Sequence, residues 1–261
     1  VKMRAGAIVG KARAIFLRLF QFNLARALIR REVRRAAPSI NGRVLDVGAG
    51  ECPYEAFFRN CQYIALNARP FFGPSVPESI ARRTDVWSDG GEQLPFTDAE
   101  FDAVLCFQVL SVIAQPAELL REISRVTRVG GKVLLSTDFL YPTWAENDRQ
   151  RFTAFGLREL AERAGLTVDT IVGCGGLTAS VYAAVTRAVR DGSRRLRGES
   201  SIVLLTGCLV HVILFAITPV LTVLGWALLL RERHGRIDAG FSPMLFLVAH
   251  KRLPGEGGLD A

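Results

Sequence analysis

Asp46, Gly48 and Gly50 stand in one short string, VLDVGAGECPY, with a carboxylate two residues ahead of a Gly-Ala-Gly turn. Glycines give a turn the backbone angles and the close approach that a bound small molecule needs. Amides at the start of a following helix would favour an electron-rich ligand group. A carboxylate inside the strand can anchor the loop or meet a cationic ligand. A Gly-x-Gly turn also serves dinucleotides, but two features argue against that use here. Pro53 stands where the third glycine of the dinucleotide fingerprint falls, and that fingerprint has no acid in the strand immediately before its loop. Glu51 and Tyr54 follow the turn and can close over a ligand. Cys52 beside it reads as a small packed thiol.

The elements that must hold this loop alternate. From Gly42 the chain reads as strand, turn and helix repeated: RVLDV, QYIALN, FDAVLCF, GGKVLLSTD and LTVDTIVG as strands, with a less regular one near Ala81–Val86. PAELLREISRV places Leu119, Leu120, Ile123 and Val126 at helical spacing, and FGLRELAERAG is a second helix closed by Gly165. Near-continuous apolar strands alternating with helices predict a mostly parallel sheet covered on both faces. PMLFLVAHKR is one more strand, after residues 177–240 break the rhythm. The predicted organisation is 1–37 as a basic helical segment, 38–176 as the core, 177–240 as an insert, and 241–261 as the final strand and tail.

Composition bounds the partners. The 261 residues are 49% hydrophobic and 22% charged, enough apolar surface for a full core. The net charge of +8 suits an anionic partner, nucleic acid or anionic lipid, or reflects a general richness in arginine. Cys52, Cys61, Cys106, Cys174 and Cys208 are scattered and form no CxxC pair, which suits free thiols in a reducing compartment. With only His211, His234 and His250 available, no metal centre is expected. The N-terminus shows no secretory pattern. In KARAIFLRLFQFNLARALIRREVRR, Phe16, Phe20, Leu24 and Leu28 share one helical face. That helix either rests on an anionic membrane or covers the edge of the core.

Five strings in order carry a resemblance: VLDVGAG, YIALN, LPFTDAEFDAVLCFQVL, ELLREISRVTRVGGKVLL and RFTAFGLRELAERAGLTV. Together they resemble the class I S-adenosylmethionine-dependent methyltransferases, in particular the type 11 group. The resemblance implies a Rossmann-like α/β fold: a mostly parallel seven-stranded sheet with an antiparallel last strand and helices on both faces. It implies S-adenosylmethionine as cofactor and no metal. By position, Asp46, Gly48, Ala49, Gly50 and Tyr54 would surround its methionine part. Asn67 takes the place at the end of the second strand where the family has an acid for the ribose diol. An amide can bond a diol, with less strength than a charged group. Asp89, with Asp85 second, would serve the adenine, and Phe107 and Gln108 would line the pocket. Ser111 and Val112 replace the Glu-His that many relatives carry, so the base is unassigned. Asp138, Asp148, Arg151 and Thr153 are the polar candidates on the acceptor side, with Tyr141 and Trp144 as a wall.

Residues 201–230, SIVLLTGCLVHVILFAITPVLTVLGWALLL, contain no charge. Because this run lies between two strands of one sheet, a single membrane crossing would strand the last one on the wrong side. Pro219 splits it into pieces of about 17 and 11 residues, roughly 25 and 17 Å as helix. Neither comfortably crosses a hydrocarbon layer of about 30 Å. Arg194, Arg195 and Arg197 precede it, and Arg231, Arg233 and Arg236 follow it, so both ends are basic. The expectation is a re-entrant hairpin at the cytoplasmic face of a membrane, or a dimerisation element. The expected acceptor is a small molecule, a lipid or a lipid-linked glycan. Nucleic acid is not expected as a partner, since no base- or RNA-methylation tetrapeptide follows the fourth strand.

Overall fold

The computed structural model describes residues 24–72, 75–90, 92–143, 146–177, 241–253 and 255, with Ala179, Ser180, Val181, Ala183, Ala184 and Arg187. Residues 1–23, Trp144 and the apolar run 201–230 lie outside the described residues, and so do the expectations placed on them.

Seven strands form one sheet: β1 Gly42–Val47, β2 Cys61–Ala68, β3 Val86–Ser88, β4 Phe101–Phe107, β5 Thr127–Asp138, β6 Leu166–Cys174 and β7 Met244–Lys251. Their order is β3-β2-β1-β4-β5-β7-β6, and β7 runs antiparallel between β5 and β6. This is the Rossmann-like arrangement that the resemblance implies. The described α-helices are α1 Leu24–Ala36, α2 Glu78–Ala81, α3 Pro116–Val126 and α4 Ala154–Arg163. Helix α3 opens with Pro at its start and carries Glu118 in its first turn and Arg125 in its last, the polarity a helix dipole favours. Helix α4 opens where the Thr153 side chain accepts from Gly156 N at 3.1 Å. It stops before Gly165, whose φ of +84° only a residue without Cβ adopts easily. Thr153 is therefore a helix cap.

Strand alternation sorts the core into two faces. Leu45, Val47, Val104, Cys106, Val133, Leu135, Leu245 and Leu247 join α3 and α4 in one buried cluster. Val44, Leu105, Phe107, Leu134, Met244 and Phe246 join Leu28, Ile29 and Val33 of α1 in the other. Arg30 and Arg34, on the exposed side of α1, stack over the Phe57 ring at 5.5 and 5.8 Å. Helix α1 thus covers the sheet. A boundary at 37/38 cuts through a single core.

Two local expectations are corrected. The strand expected at Ala81–Val86 lies later, at Val86–Ser88, because Pro77 starts the helical turn Glu78–Ala81. The helix expected after the glycine turn is only a 3-10 turn, Glu55–Phe57. Gly48, Gly50 and Cys52 all take positive φ, which interrupts a right-handed helical run through the loop. Helix α1 and Tyr54 and Phe58 fill that face instead.

Candidate active site

Strand order reverses between β1 and β4, where open α/β sheets form a crevice beyond the strand C-termini. A cavity of about 370 Å³ lies there, within the range of small-molecule sites. The glycine loop supplies Gly48 and Gly50, β2 supplies Asn67, and β4 leads into Phe107 and Gln108. A Cβ on Gly50 would meet nothing within 4 Å, so the space beside that backbone is open to a ligand. A Cβ on Gly48 would stand 2.4 Å from Val109 Cγ2, so the loop is also packed tightly on its other side. Gln108 holds a φ of +60°, an uncommon conformation for a side-chain-bearing residue. Its amide donates to Ser136 O at 2.9 Å.

The other expected cofactor residues lie elsewhere. Asp46 is buried behind the loop, on the α1 face, where the Tyr63 hydroxyl donates to its Oδ2. Burial pushes its carboxyl up to about 7, and the Tyr63 hydrogen bond pulls the other way. Ala49 is packed against Cys52 and Ala65. Tyr54 is buried, its ring edge-on to Phe107 at 4.9 Å, so it supports the cavity wall from behind. Glu51 turns outward to Arg26 at 3.5 Å and Ser79 at 3.2 Å. Asp89 is exposed and Asp85 bonds the Ala65 amide at 2.8 Å; Ser88, not Asp89, reaches the cavity from β3. Burial, with the Asp46 charge second, pushes the Cys52 thiol up to about 12, which fits a packed thiol.

Asn67 lines the cavity, yet its amide is committed. Its Oδ1 accepts from Gly50 N at 2.8 Å, and its Nδ2 donates to Thr84 Oγ1 at 2.8 Å and Gly50 O at 3.4 Å. Sequence reasoning missed Phe71, Phe72, Leu94, Ile113 and Asn147 on the walls, and named Val112 only as standing where many relatives carry Glu-His. Leu94 belongs to the recognised LPF string and could have been placed. The rest are generic residue types with no spacing signal. No described residue lining the cavity is charged.

A second cavity of about 560 Å³ opens beyond β5, lined by Phe139–Thr143 and Asp148–Arg151. Bonds to backbone carbonyls hold the segment between the cavities, among them Gln150 N to Ser111 O at 3.3 Å. Arg149 N donates to Ser111 O at 2.8 Å, and Gln150 Nε2 donates to Leu110 O and Ile113 O at 3.0 and 2.9 Å. Asn147 faces the first cavity and Asp148 the second. Arg151 holds Asp148 with both terminal nitrogens and donates from Nε to Tyr141 O at 3.2 Å. A carboxylate clamped this way is a poor base. Asp138 is fully buried at the end of β5 and accepts from Ser111 Oγ at 3.2 Å. It lines neither cavity. The structure brings Asp148, Arg151 and Tyr141 together, with Asp138 behind them.

Residues 45–135 match the family described as "Methyltransferase domain". This stretch holds the glycine loop, β2, the LPF string and β4. Over these residues the chain is similar to the class I S-adenosylmethionine-dependent methyltransferases. An uncharacterized methyltransferase of Mycolicibacterium gilvum is 33% identical over 107 residues, covering 40% of this chain and 40% of that protein. The ubiquinone/menaquinone biosynthesis C-methyltransferase UbiE of Geotalea daltonii is 28% identical over 129 residues, covering 45% and 54%. The chain thus spans about half or less of the curated relatives it matches. Among solved structures, the [4+2]-cyclase SpnF superposes with a TM-score of 0.52 at 19% identity, over 86% of this chain and 80% of that one. That likeness shows the fold. The family's cofactor is S-adenosylmethionine, and the open cradle beside Gly50 and the neutral, apolar cavity fit it. Among the described residues no cluster of His, Cys, Asp or Glu could hold a metal ion.

Proposed function

We propose that this methyltransferase passes a methyl group to a small, membrane-held acceptor, a lipid or lipid-linked molecule, that enters the second cavity. When bound, the cofactor supplies an electrophilic methyl on a cationic sulfur. The chain's part is then mainly alignment, and a base is needed only where the acceptor atom carries a proton. Gly48 and Gly50 give the cofactor backbone room. Asp46, behind them, places one ionisable carboxyl near a ligand that is itself cationic. The strap through Gln150 fixes the wall that separates the two cavities.

One observation carries the membrane part of this reading. Described residues before and after the charge-free run meet, since Ser180 Oγ donates to Phe241 O at 2.9 Å. Phe139 N and Leu140 N, from the wall of the second cavity, donate to Pro243 O and Ser242 O at 2.9 and 3.3 Å. Both roots of the segment holding the charge-free run therefore sit beside that cavity. Exposed apolar side chains cluster at the same points: Leu140, Leu177, Val181 and Phe241. No described helix is long and apolar enough to cross a membrane; the charge-free run lies outside the described residues, and the proposed dip enters one leaflet from the cytoplasmic face. Flotation with vesicles of anionic lipid tests it: co-flotation that is lost when residues 201–230 are replaced by a Gly/Ser linker is expected. Failure to float with anionic vesicles contradicts the membrane reading.

A second reading keeps the same chemistry on a soluble acceptor, with the apolar run joining two copies. The neutral walls of the first cavity and the clamped Asp148 also suit a cofactor-binding scaffold without turnover. Concentration-dependent dimerisation without flotation would favour the soluble-acceptor reading. Tight cofactor binding without transfer to any extract would favour the scaffold.

A further inference from the structure

We infer that this site leaves the ribose diol of its cofactor unread by any carboxylate or by Asn67, and holds the nucleoside through aromatic and apolar walls. The inference rests on the cofactor assignment proposed above. Its basis is a chain of hydrogen bonds in which every direction is fixed. Thr84 Oγ1 donates its one proton to Ile80 O at 2.8 Å. It can therefore only accept from Asn67, which must present Nδ2 to it. That orientation leaves Oδ1 facing Gly50 N, a pure donor. Asn67 is 1% exposed, and both halves of its amide are engaged. It acts as a rivet between the glycine loop and the turn before β3.

The same geometry explains why an amide stands where an acid is expected. An aspartate here would set an oxygen against Thr84 Oγ1, whose proton is already used. Asn67 and Thr84 thus depend on one another, and neither answers to the ligand. Among the described residues, Phe71, Phe72, Leu94 and the Ser88 hydroxyl are what remains at the nucleoside end. Phe72 is braced edge-on against Trp87 at 6.0 Å, and Arg69 lies over the Trp87 ring at 5.0 Å. An aromatic wall favours a base by stacking whatever the sugar carries. A single neutral hydroxyl cannot replace a two-oxygen acceptor for a diol.

Calorimetry with the full chain tests this with two probes, S-adenosylhomocysteine and its 2′,3′-dideoxy analogue. Dissociation constants within about threefold of each other are expected, and a loss of thirtyfold or more for the analogue overturns the inference. Substitutions give effects of opposite sign under the two views. Asn67→Asp and Thr84→Val should each weaken S-adenosylhomocysteine roughly tenfold if Asn67 is a rivet. Tighter binding by Asn67→Asp, or an unchanged constant in Thr84→Val, would show that Asn67 reads the ligand. Ser88→Ala should change little, and a tenfold loss there would assign the diol to Ser88 and overturn the inference. Should the Asn67 variant not fold, the two-probe comparison on the unaltered chain decides alone. Binding of neither probe overturns the cofactor reading and this inference together. Binding of S-adenosylhomocysteine alone overturns only the inference.

Discussion

The Tyr63 hydroxyl donates to the Asp46 carboxylate at the foot of the glycine loop, in a buried layer between the sheet and α1. This contact joins neighbouring parallel strands, since Val44 pairs with Tyr63 and Asp46 with Ala65. It places one acid of adjustable charge beneath a cavity whose described walls carry none.

The first prediction concerns stability against pH. An aspartate in an unfolded chain titrates near about 3.9, whereas burial raises Asp46 to about 7 in the fold. Between those values the folded protein holds a proton that the unfolded chain has lost. Stability from this group is therefore fully present below about 4 and declines as pH rises through about 7. Glu100 and Glu122 are shifted the other way, lowered by hydrogen bonds and ion pairing, so they do not produce a loss of stability with rising pH. Thermal melts of the cofactor-free chain should give a higher Tm at pH 5.5 than at pH 8. Asp46→Asn should flatten the difference, and an unchanged slope in that variant would assign it to another group.

The second prediction concerns Tyr63→Phe. Its hydroxyl lowers the Asp46 pKa, so removing it lets burial raise that carboxyl further. A cationic ligand prefers the ionised form. The pH below which S-adenosylmethionine binding weakens should therefore move up, because the hydrogen bond that favours the charged form is lost. Calorimetry from pH 6 to 9 checks this, and an unmoved or lowered midpoint counts against the coupling.

Much of this site could be read in advance, and the reasons for the exceptions are physical. The strands, α3 and α4 follow from periodicity and end signals, and Gly48, Gly50, Phe107 and Gln108 stand at strand ends where cavities form. The family resemblance implies Asp46 and Tyr54 at the ligand. In the fold, alternation along β1 turns Asp46 toward α1, and the 3-10 turn buries Tyr54 behind Phe107. The positive φ of Cys52, which interrupts a helix after the glycine turn, has no signal in the sequence. The commitment of Asn67 depends on where the Thr84 proton goes, which no sequence pattern encodes.

A third prediction separates ligand room from loop strain. Gly50→Ala places a methyl group in the open cradle at a φ of +55°. The left-handed conformation costs about 1–2 kcal/mol in stability, and S-adenosylhomocysteine affinity should fall at least tenfold, to an order-of-magnitude estimate. Gly255 has a similar open, positive-φ geometry at +96° and lies outside the cavity. Gly255→Ala should leave affinity unchanged. Equal affinity losses in both would mean that global destabilisation is responsible.

The fourth prediction tests whether α1 belongs to the core. Ile29 is fully buried in the cluster on that face of the sheet. Ile29→Ala should cost about 2–5 kcal/mol by urea denaturation, as for other buried large-to-small changes. A cost under about 0.5 kcal/mol, the level of an ordinary surface change, would restore a separate N-terminal segment.

Methyl transfer to a membrane-held acceptor is tested most directly by label. The purified full chain is incubated with S-adenosylmethionine carrying a labelled methyl and with separated membrane and soluble extracts. The account predicts label in solvent-extractable material from the membrane fraction, abolished by heat-denaturing the protein. Label confined to a soluble product, or none in any fraction from a chain that binds S-adenosylhomocysteine, would contradict it.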